Sequence, residues 1–123
     1  MNVGLLHYSA PPVVGGVESV LAHQARLLNS DGHSVRVIAA RGEAWASQIE
    51  FARLPLADSL HPRVLALKAS LDAGSVPTGF AALVDELCLY LIDAAAGLDV
   101  LIAHNVCSLN KNLALTAALR RLN

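Results

Sequence analysis

The sequence is poor in cysteine and in charge, and it has no basic run; each of these absences excludes a class of protein. Two cysteines in 123 residues are too few for a disulfide scaffold, so a reducing, cytoplasmic setting is the simpler expectation. A formal net charge of −1 without a basic run argues against nucleic acid as the main partner. The first residues lack the basic segment of a signal peptide, and His7 interrupts them early.

Long apolar runs are also missing, although 54% of the residues are hydrophobic and only 15% are charged. The most apolar segment, residues 80–103, carries four acidic side chains, and this pattern does not predict a membrane-spanning helix. Two explanations fit the apolar excess, and we expect both to hold. The strands and helices are almost wholly buried, and some apolar surface is reserved for another domain. Exposed apolar surface also predicts self-association of the chain.

Apolar strands alternate with amphipathic helices along the whole chain. A short apolar run at 2–7 predicts the first strand, and apolar residues at helical spacing over 17–28 predict the first helix. A β-branched segment at 34–40 predicts the second strand. This strand–helix–strand order implies a right-handed parallel unit. Further strands are predicted at 49–54 and 99–103, a loop at 55–62, and helices at 64–71, 80–96 and 111–122, with Thr78 as a cap for the second of these helices. The predicted fold is a single α/β domain over residues 1–123, Rossmann-like and three-layered, with a mostly parallel sheet and helices on both faces.

The loop after the first strand, Tyr8–Gly16, is the strongest candidate for a binding element. Its two successive prolines remove backbone donors and are expected to hold the chain extended. Gly15 and Gly16 permit positive φ and close approach of another molecule. Free N–H groups at the start of the next helix favour an anion, so the loop is interpreted as a pocket floor for a phosphate or a sugar hydroxyl. A plain strand–helix connection is the alternative; neither a Walker A motif nor a dinucleotide fingerprint is present.

Two more loops, Arg41–Glu43 and His104–Asn105, are expected to meet Tyr8–Gly16 at the carboxyl edge of the sheet. A histidine at a strand end orients a hydroxyl, donates to a phosphate or acts as a base, unless a loop carbonyl satisfies it. Arg41 is either a bidentate phosphate ligand or an exposed loop residue. Tyr8 and Asn105 are candidate pocket residues.

Glu18 falls in the first turn of the first helix. The simpler interpretation is a favourable interaction with the helix dipole, and the alternative is a hydrogen bond to a sugar hydroxyl. The spacing His104-x-x-Cys107 would suit a metal or a nucleophile only if a third ligand or a base were close. The sequence supplies neither, so incidental thiols are expected.

Residues 11–28, with the glycine pair and Glu18, resemble the opening of group 1 (family 4) glycosyltransferases of the GT-B fold. Residues 32–38, which begin Gly-His, and residues 99–105, which run from an aspartate to His-Asn, are similar to later segments of that family. The resemblance extends from end to end, with a weaker middle at residues 45–77. Taken together, the three segments are more specific than the glycine pair alone.

This resemblance implies a function and a division of labour between two facing Rossmann-like domains. The chain would be the acceptor-side N-terminal domain, opposite a C-terminal domain that binds the donor. Gly15 and Gly16 would approach the donor's phosphates or sugar, and His104 would lie by the transferred sugar. The implied reaction moves a hexose from a nucleotide diphosphate-sugar to a sugar or lipid-linked acceptor with retention, without a metal, and no cofactor is expected. Peripheral attachment at the inner membrane face is an alternative to a free cytoplasmic location.

The sequence departs from the family because the C-terminal domain, with its basic pair and paired glutamates, is absent. The N-terminal domain also lacks the further strands of family members, so the chain is expected to be a fragment. An isolated domain, a truncated gene and one part of a split enzyme are the alternatives. The chain alone is expected to lack transferase activity. The rival hypothesis is a non-catalytic Rossmann-like module that binds a nucleotide or a protein.

Overall fold

The computed structural model describes all 123 residues as one parallel sheet with helices on both faces. The strands are β1 (Asn2–Leu6), β2 (Ser34–Ala39), β3 (Ile49–Arg53) and β4 (Val100–Ala103). The helices are α1 (Gly16–Ser30), α2 (Pro62–Asp72), α3 (Phe80–Ala94) and α4 (Leu113–Leu122), with a short 3-10 turn at Pro55–Ala57. The predicted α/β, three-layer, Rossmann-like fold is confirmed, and every strand pair is parallel.

The strands lie in the order β3-β2-β1-β4, and alternation along β1 builds a separate core on each face. Val3 and Leu5 pack with Leu21 and Ala25 of α1 on one side. Leu6 belongs to the larger core on the other side, which the second, third and fourth helices cover. None of the helices combines the length and the apolar composition needed to traverse a lipid bilayer.

Local turns account for the differences between the predicted and observed elements. Thr78 does not cap α3: Gly79 occupies the cap position in a left-handed conformation, and no side chain bonds there. The predicted loop at 55–62 contains the 3-10 turn. The two prolines do not hold the chain extended, because the Val13 N–H donates to the Ala10 carbonyl across them at 3.1 Å and closes a turn.

The cap of α4 also joins the helix to the other side of the core. The buried Asn112 side chain accepts from the Leu115 N–H at 3.1 Å and donates to the Leu56 carbonyl at 3.0 Å. The first bond satisfies a helix N–H, and the second bond satisfies a carbonyl of the 3-10 turn. This one side chain therefore fixes the start of α4 and, with it, the direction of the segment between β4 and α4.

Apolar surface remains exposed along the β4 edge of the sheet. Val100 is 39% exposed, and a groove of about 490 Å³ beside it is lined by Leu98, Leu101, Leu119 and Leu122. Edge strands present unpaired backbone groups. The expectation that the strands and helices are almost wholly buried is therefore wrong: apolar side chains are exposed at this edge and also on the helices, among them Leu27 of α1 and Leu89 of α3. Self-association of the chain stays a prediction.

Candidate functional site at the carboxyl edge of the sheet

A cavity of about 220 Å³ lies where the chain leaves β1 and β4. The chain continues from β1 to β2 on one side, whereas β4 pairs with β1 on the other side, so the strand order reverses here. In open α/β sheets such a switch point forms a crevice for ligands. The residues that line the cavity are His7, Tyr8, Ser9, Gly16, Val17, Glu18, Arg41, Ser59, Asn105, Leu109 and Lys111.

Five predicted site residues therefore meet at one cavity: Tyr8, Gly16, Glu18, Arg41 and Asn105. The three loops therefore converge as expected, since each of them contributes at least one residue to the cavity. Gly15 and His104 do not line the cavity. Their roles in binding or catalysis stay predictions. In the structure, both residues contact or adjoin side chains of α1.

The Glu18 carboxylate is held in a small buried network beneath the cavity. The Ser9 hydroxyl donates to Glu18 Oε1, and His7 Nε2 lies 3.7 Å from the same oxygen. The Glu18 side chain is only 12% exposed. Burial by itself raises the pKa of Glu18, but the Ser9 hydroxyl, the backbone N–H of Glu18 and the charges of His7 and Arg41 outweigh it. The pKa therefore lies below its usual 4.5, and the carboxylate is ionised at neutral pH.

Gly15 is needed for its lack of a side chain and not for positive φ. Its φ of 175° is extended backbone that any residue adopts. A Cβ at this position would collide with Glu18 Oε2. Gly16 is the first residue of α1, and nothing lies within 4 Å of the place where its Cβ would be. Neither glycine of the pair has a positive φ, and Gly15 leaves room for the chain's own carboxylate.

The imidazole of His104 bonds to α1 instead of facing the cavity. Its Nε2 donates to Gln24 Oε1 at 2.7 Å, and its backbone N–H donates to the Leu6 carbonyl at 2.8 Å. The His104 carbonyl accepts from His7 Nδ1 at 3.0 Å, which leaves His7 Nε2 facing Glu18. His104 thus joins β4, β1 and α1, and its Nε2 could bond to a ligand only after leaving Gln24.

Tyr8 forms part of the cavity wall and also of the larger core. It is 3% exposed, and its hydroxyl has no hydrogen-bond partner. Burial first, and then the nearby Cys107 thiol, raise the pKa of the phenol above 10.0, so the proton stays on the oxygen. The side chain therefore shapes the site by its volume.

Positive charge faces the acidic end of the cavity from two loops. Arg41 is anchored by a backbone pairing with Ser9, and its Nε lies 3.4 Å from Asp58 Oδ1. Lys111 is exposed and takes part in no ion pair. Asn105 has a φ of 58°, a left-handed conformation that asparagine tolerates better than most residues.

Sequence reasoning missed three polar residues of the cavity. Ser9 lies inside the candidate loop Tyr8–Gly16, and Lys111 is the first residue of the predicted helix at 111–122, so their positions in the sequence were the available signal. Ser59 follows β3 in a loop that carries no motif. No three His, Cys, Asp or Glu side chains come together as a metal site.

The chain has no significant match among protein families, curated protein sequences or solved structures.

The pKa of His104 predicts a pH dependence of stability. Burial, and then the charge of His7, lower this pKa below 6.5. Since the unfolded chain binds the proton more readily, the free energy of unfolding falls as pH drops from 6.5 towards the folded pKa. Urea unfolding at about pH 7.5 and about pH 5.5 measures this loss, which His104→Gln is expected to reduce.

The control for this prediction is His23→Gln, which removes an exposed histidine from the same helix that carries Gln24. It is expected to leave the loss of stability at low pH as large as in the unmodified protein. If the free energy of unfolding of His104→Gln fell at low pH as much as that of the unmodified protein, His104 would not be the group responsible for the loss.

Proposed function

We propose that the chain is the acceptor-side N-terminal domain of a retaining glycosyltransferase. The reaction would move a hexose from a nucleotide diphosphate-sugar to a sugar or lipid-linked acceptor, with a facing domain completing the cleft. The Gly15–Gly16 loop would form one wall of the donor site. His104 would reach the transferred sugar once its ring left Gln24.

The observation that carries the proposal is the composition of the cavity at the switch point between β1 and β4. A nucleotide diphosphate-sugar needs cations for its phosphates and hydrogen-bonding groups for its hydroxyls. Arg41 and Lys111 can supply the first, and Glu18 and Asn105 the second. Of the cavity residues, Gly16, Val17, Glu18 and Asn105 belong to segments that resemble family 4 glycosyltransferases, whereas Arg41 and Lys111 lie outside those segments.

Calorimetric titration of the 123-residue chain with UDP-, GDP- and ADP-hexoses tests the proposal. One of the three is expected to bind, and Lys111→Gln is expected to weaken that binding about tenfold, because a charge-assisted bond to phosphate is lost. The matched control is Arg120→Gln, which removes an exposed cation from the last turn of α4, away from the cavity.

Titration with the bare nucleoside diphosphates as well separates the enzyme from a plain nucleotide-binding module. Binding of the nucleotide-sugar that is tighter than binding of the bare nucleoside diphosphate supports a sugar site. Equal affinity for both ligands would favour the module. Absence of binding by all three sugars, in a chain shown to be folded, would refute the assignment of this cavity to the nucleotide diphosphate-sugar.

A further inference from the structure

The start of α1 is occupied by an anion that belongs to the chain itself. Glu18 is the third residue of the helix, and its carboxylate folds back beside Gly15. Its own backbone N–H and the Ser9 hydroxyl donate to it. The carboxylate therefore satisfies part of the donor capacity that a helix start would otherwise offer to a phosphate.

A ligand phosphate placed at this end of the cavity would meet like charge. Glu18 is ionised at neutral pH, and its 12% exposed side chain lines the cavity that the ligand would enter. Repulsion between two anions is strong where little water screens it. A hydroxyl group, in contrast, can donate to a free lone pair of the carboxylate.

Lys111 and Arg41 give the same cavity a complementary charge. Lys111 carries an exposed ammonium group without an ion pair, and it comes from the segment before α4. Arg41 is half-exposed, but Asp58 partly neutralises it at 3.4 Å. Within the cavity, Lys111 is therefore the cation most available to an incoming anion.

We propose that Glu18 is a specificity-determining residue: it reserves the α1 end of the cavity for an uncharged, hydroxyl-bearing group such as a sugar ring and directs the ligand's phosphate to Lys111. This inference rests on the proposed function, because it assigns the two halves of a nucleotide diphosphate-sugar to the two ends of one site. It also gives Gly15 a role, since a side chain there would displace the carboxylate.

The test compares the binding of inorganic pyrophosphate to the unmodified chain and to Glu18→Gln, followed by backbone amide NMR shifts. In the unmodified chain, pyrophosphate is expected to shift the Lys111 amide and to leave Gly16 and Val17 unchanged. In Glu18→Gln, the amides of Gly16 and Val17 are expected to shift as well, and the affinity for pyrophosphate to rise about tenfold.

Two control variants separate charge from folding and from general electrostatics. Glu43→Gln removes the same charge from a neighbouring loop residue that does not line the cavity, so its affinity for pyrophosphate is expected to match the unmodified chain. Asp31→Asn removes a carboxylate from the other end of α1, outside the cavity, and it is also expected to leave the affinity unchanged. Shifts of Gly16 and Val17 by pyrophosphate in the unmodified chain would overturn the inference, as would an unchanged affinity in Glu18→Gln.

Failure of this inference can be told apart from failure of the proposed function. If no nucleotide-sugar binds, but Glu18→Gln gains pyrophosphate affinity as expected, the assignment of the cavity to a nucleotide diphosphate-sugar fails and the charge selection by Glu18 stands. If a nucleotide-sugar binds through Lys111 while Glu18→Gln gains nothing, the glycosyltransferase proposal stands and the role of Glu18 is refuted.

Discussion

Leu87→Ala is expected to lower the free energy of unfolding by about 3 kcal/mol, within the range of about 2–5 kcal/mol for large-to-small changes in a close-packed core. Leu87 is fully buried in the core between the sheet and the second, third and fourth helices. The substitution removes apolar contacts and leaves a cavity that its neighbours fill only in part. Because a domain of this size is stable by about 5–15 kcal/mol, urea denaturation is expected to show a large drop in the transition midpoint.

Leu89→Ala is the matched control for this prediction. It makes the same chemical change two residues further along α3, where Leu89 is 69% exposed. Helix propensity changes equally in both variants, so the difference between them reports burial alone. A loss below about 0.5 kcal/mol is expected for Leu89→Ala. Similar losses in the two variants would show that the burial assigned to α3 is wrong.

Gly42→Ala is expected to cost about 2–4 kcal/mol, from backbone strain and from collision together. Gly42 has a φ of +114°, and a Cβ there would lie 2.6 Å from the Ala10 carbonyl oxygen and 2.9 Å from that of Pro11. Both obstacles are backbone atoms, so no side-chain rotation relieves them. Urea denaturation measures the loss, and amide NMR is expected to show that the Arg41 loop has moved.

Gly74→Ala separates the two causes of that loss. Gly74 also has a positive φ, of +86°, but nothing lies within 4 Å of the place where its Cβ would be. Its expected cost is therefore the conformational strain alone, about 1 kcal/mol. If Gly42→Ala were no worse than Gly74→Ala, the close contact between the loops after β1 and β2 would be disproved.

The order and type of the main elements could be predicted because apolar periodicity reflects burial directly. The segment at 34–40 alternates and is β-branched, and the observed strand ends one residue earlier. The cap of α3 was not predictable in this way. Thr78 is a good cap by composition, but the chain turns through Gly79, and the choice between them depends on where α3 must start in order to pack.

The sequence predicts which loops meet at the site, because sheet topology determines that. It does not predict the directions in which the side chains of those loops point. Parallel strands bring their carboxyl ends to one edge, which is why Tyr8, Arg41 and Asn105 meet. The ring of His104 turns to Gln24, a partner 80 residues away that no local pattern indicates. The position of the Glu18 carboxylate over Gly15 was not predictable either, because the Ser9 hydroxyl that holds it comes from the preceding loop, outside the helix pattern.

The hydrogen bond between His7 and the His104 carbonyl joins residues that are 97 positions apart in the sequence. This separation determines when the cavity can form during synthesis of the chain. During synthesis, the glycine loop, α1 and two neighbouring strands emerge early, but the opposite wall of the cavity emerges only with the final quarter of the chain. Long-range pairings of this kind form late, since the chain between them must first be closed into a loop. A ligand can therefore be held by both walls of the cavity, and stabilise the domain fully, only after residues 105–111 have been made.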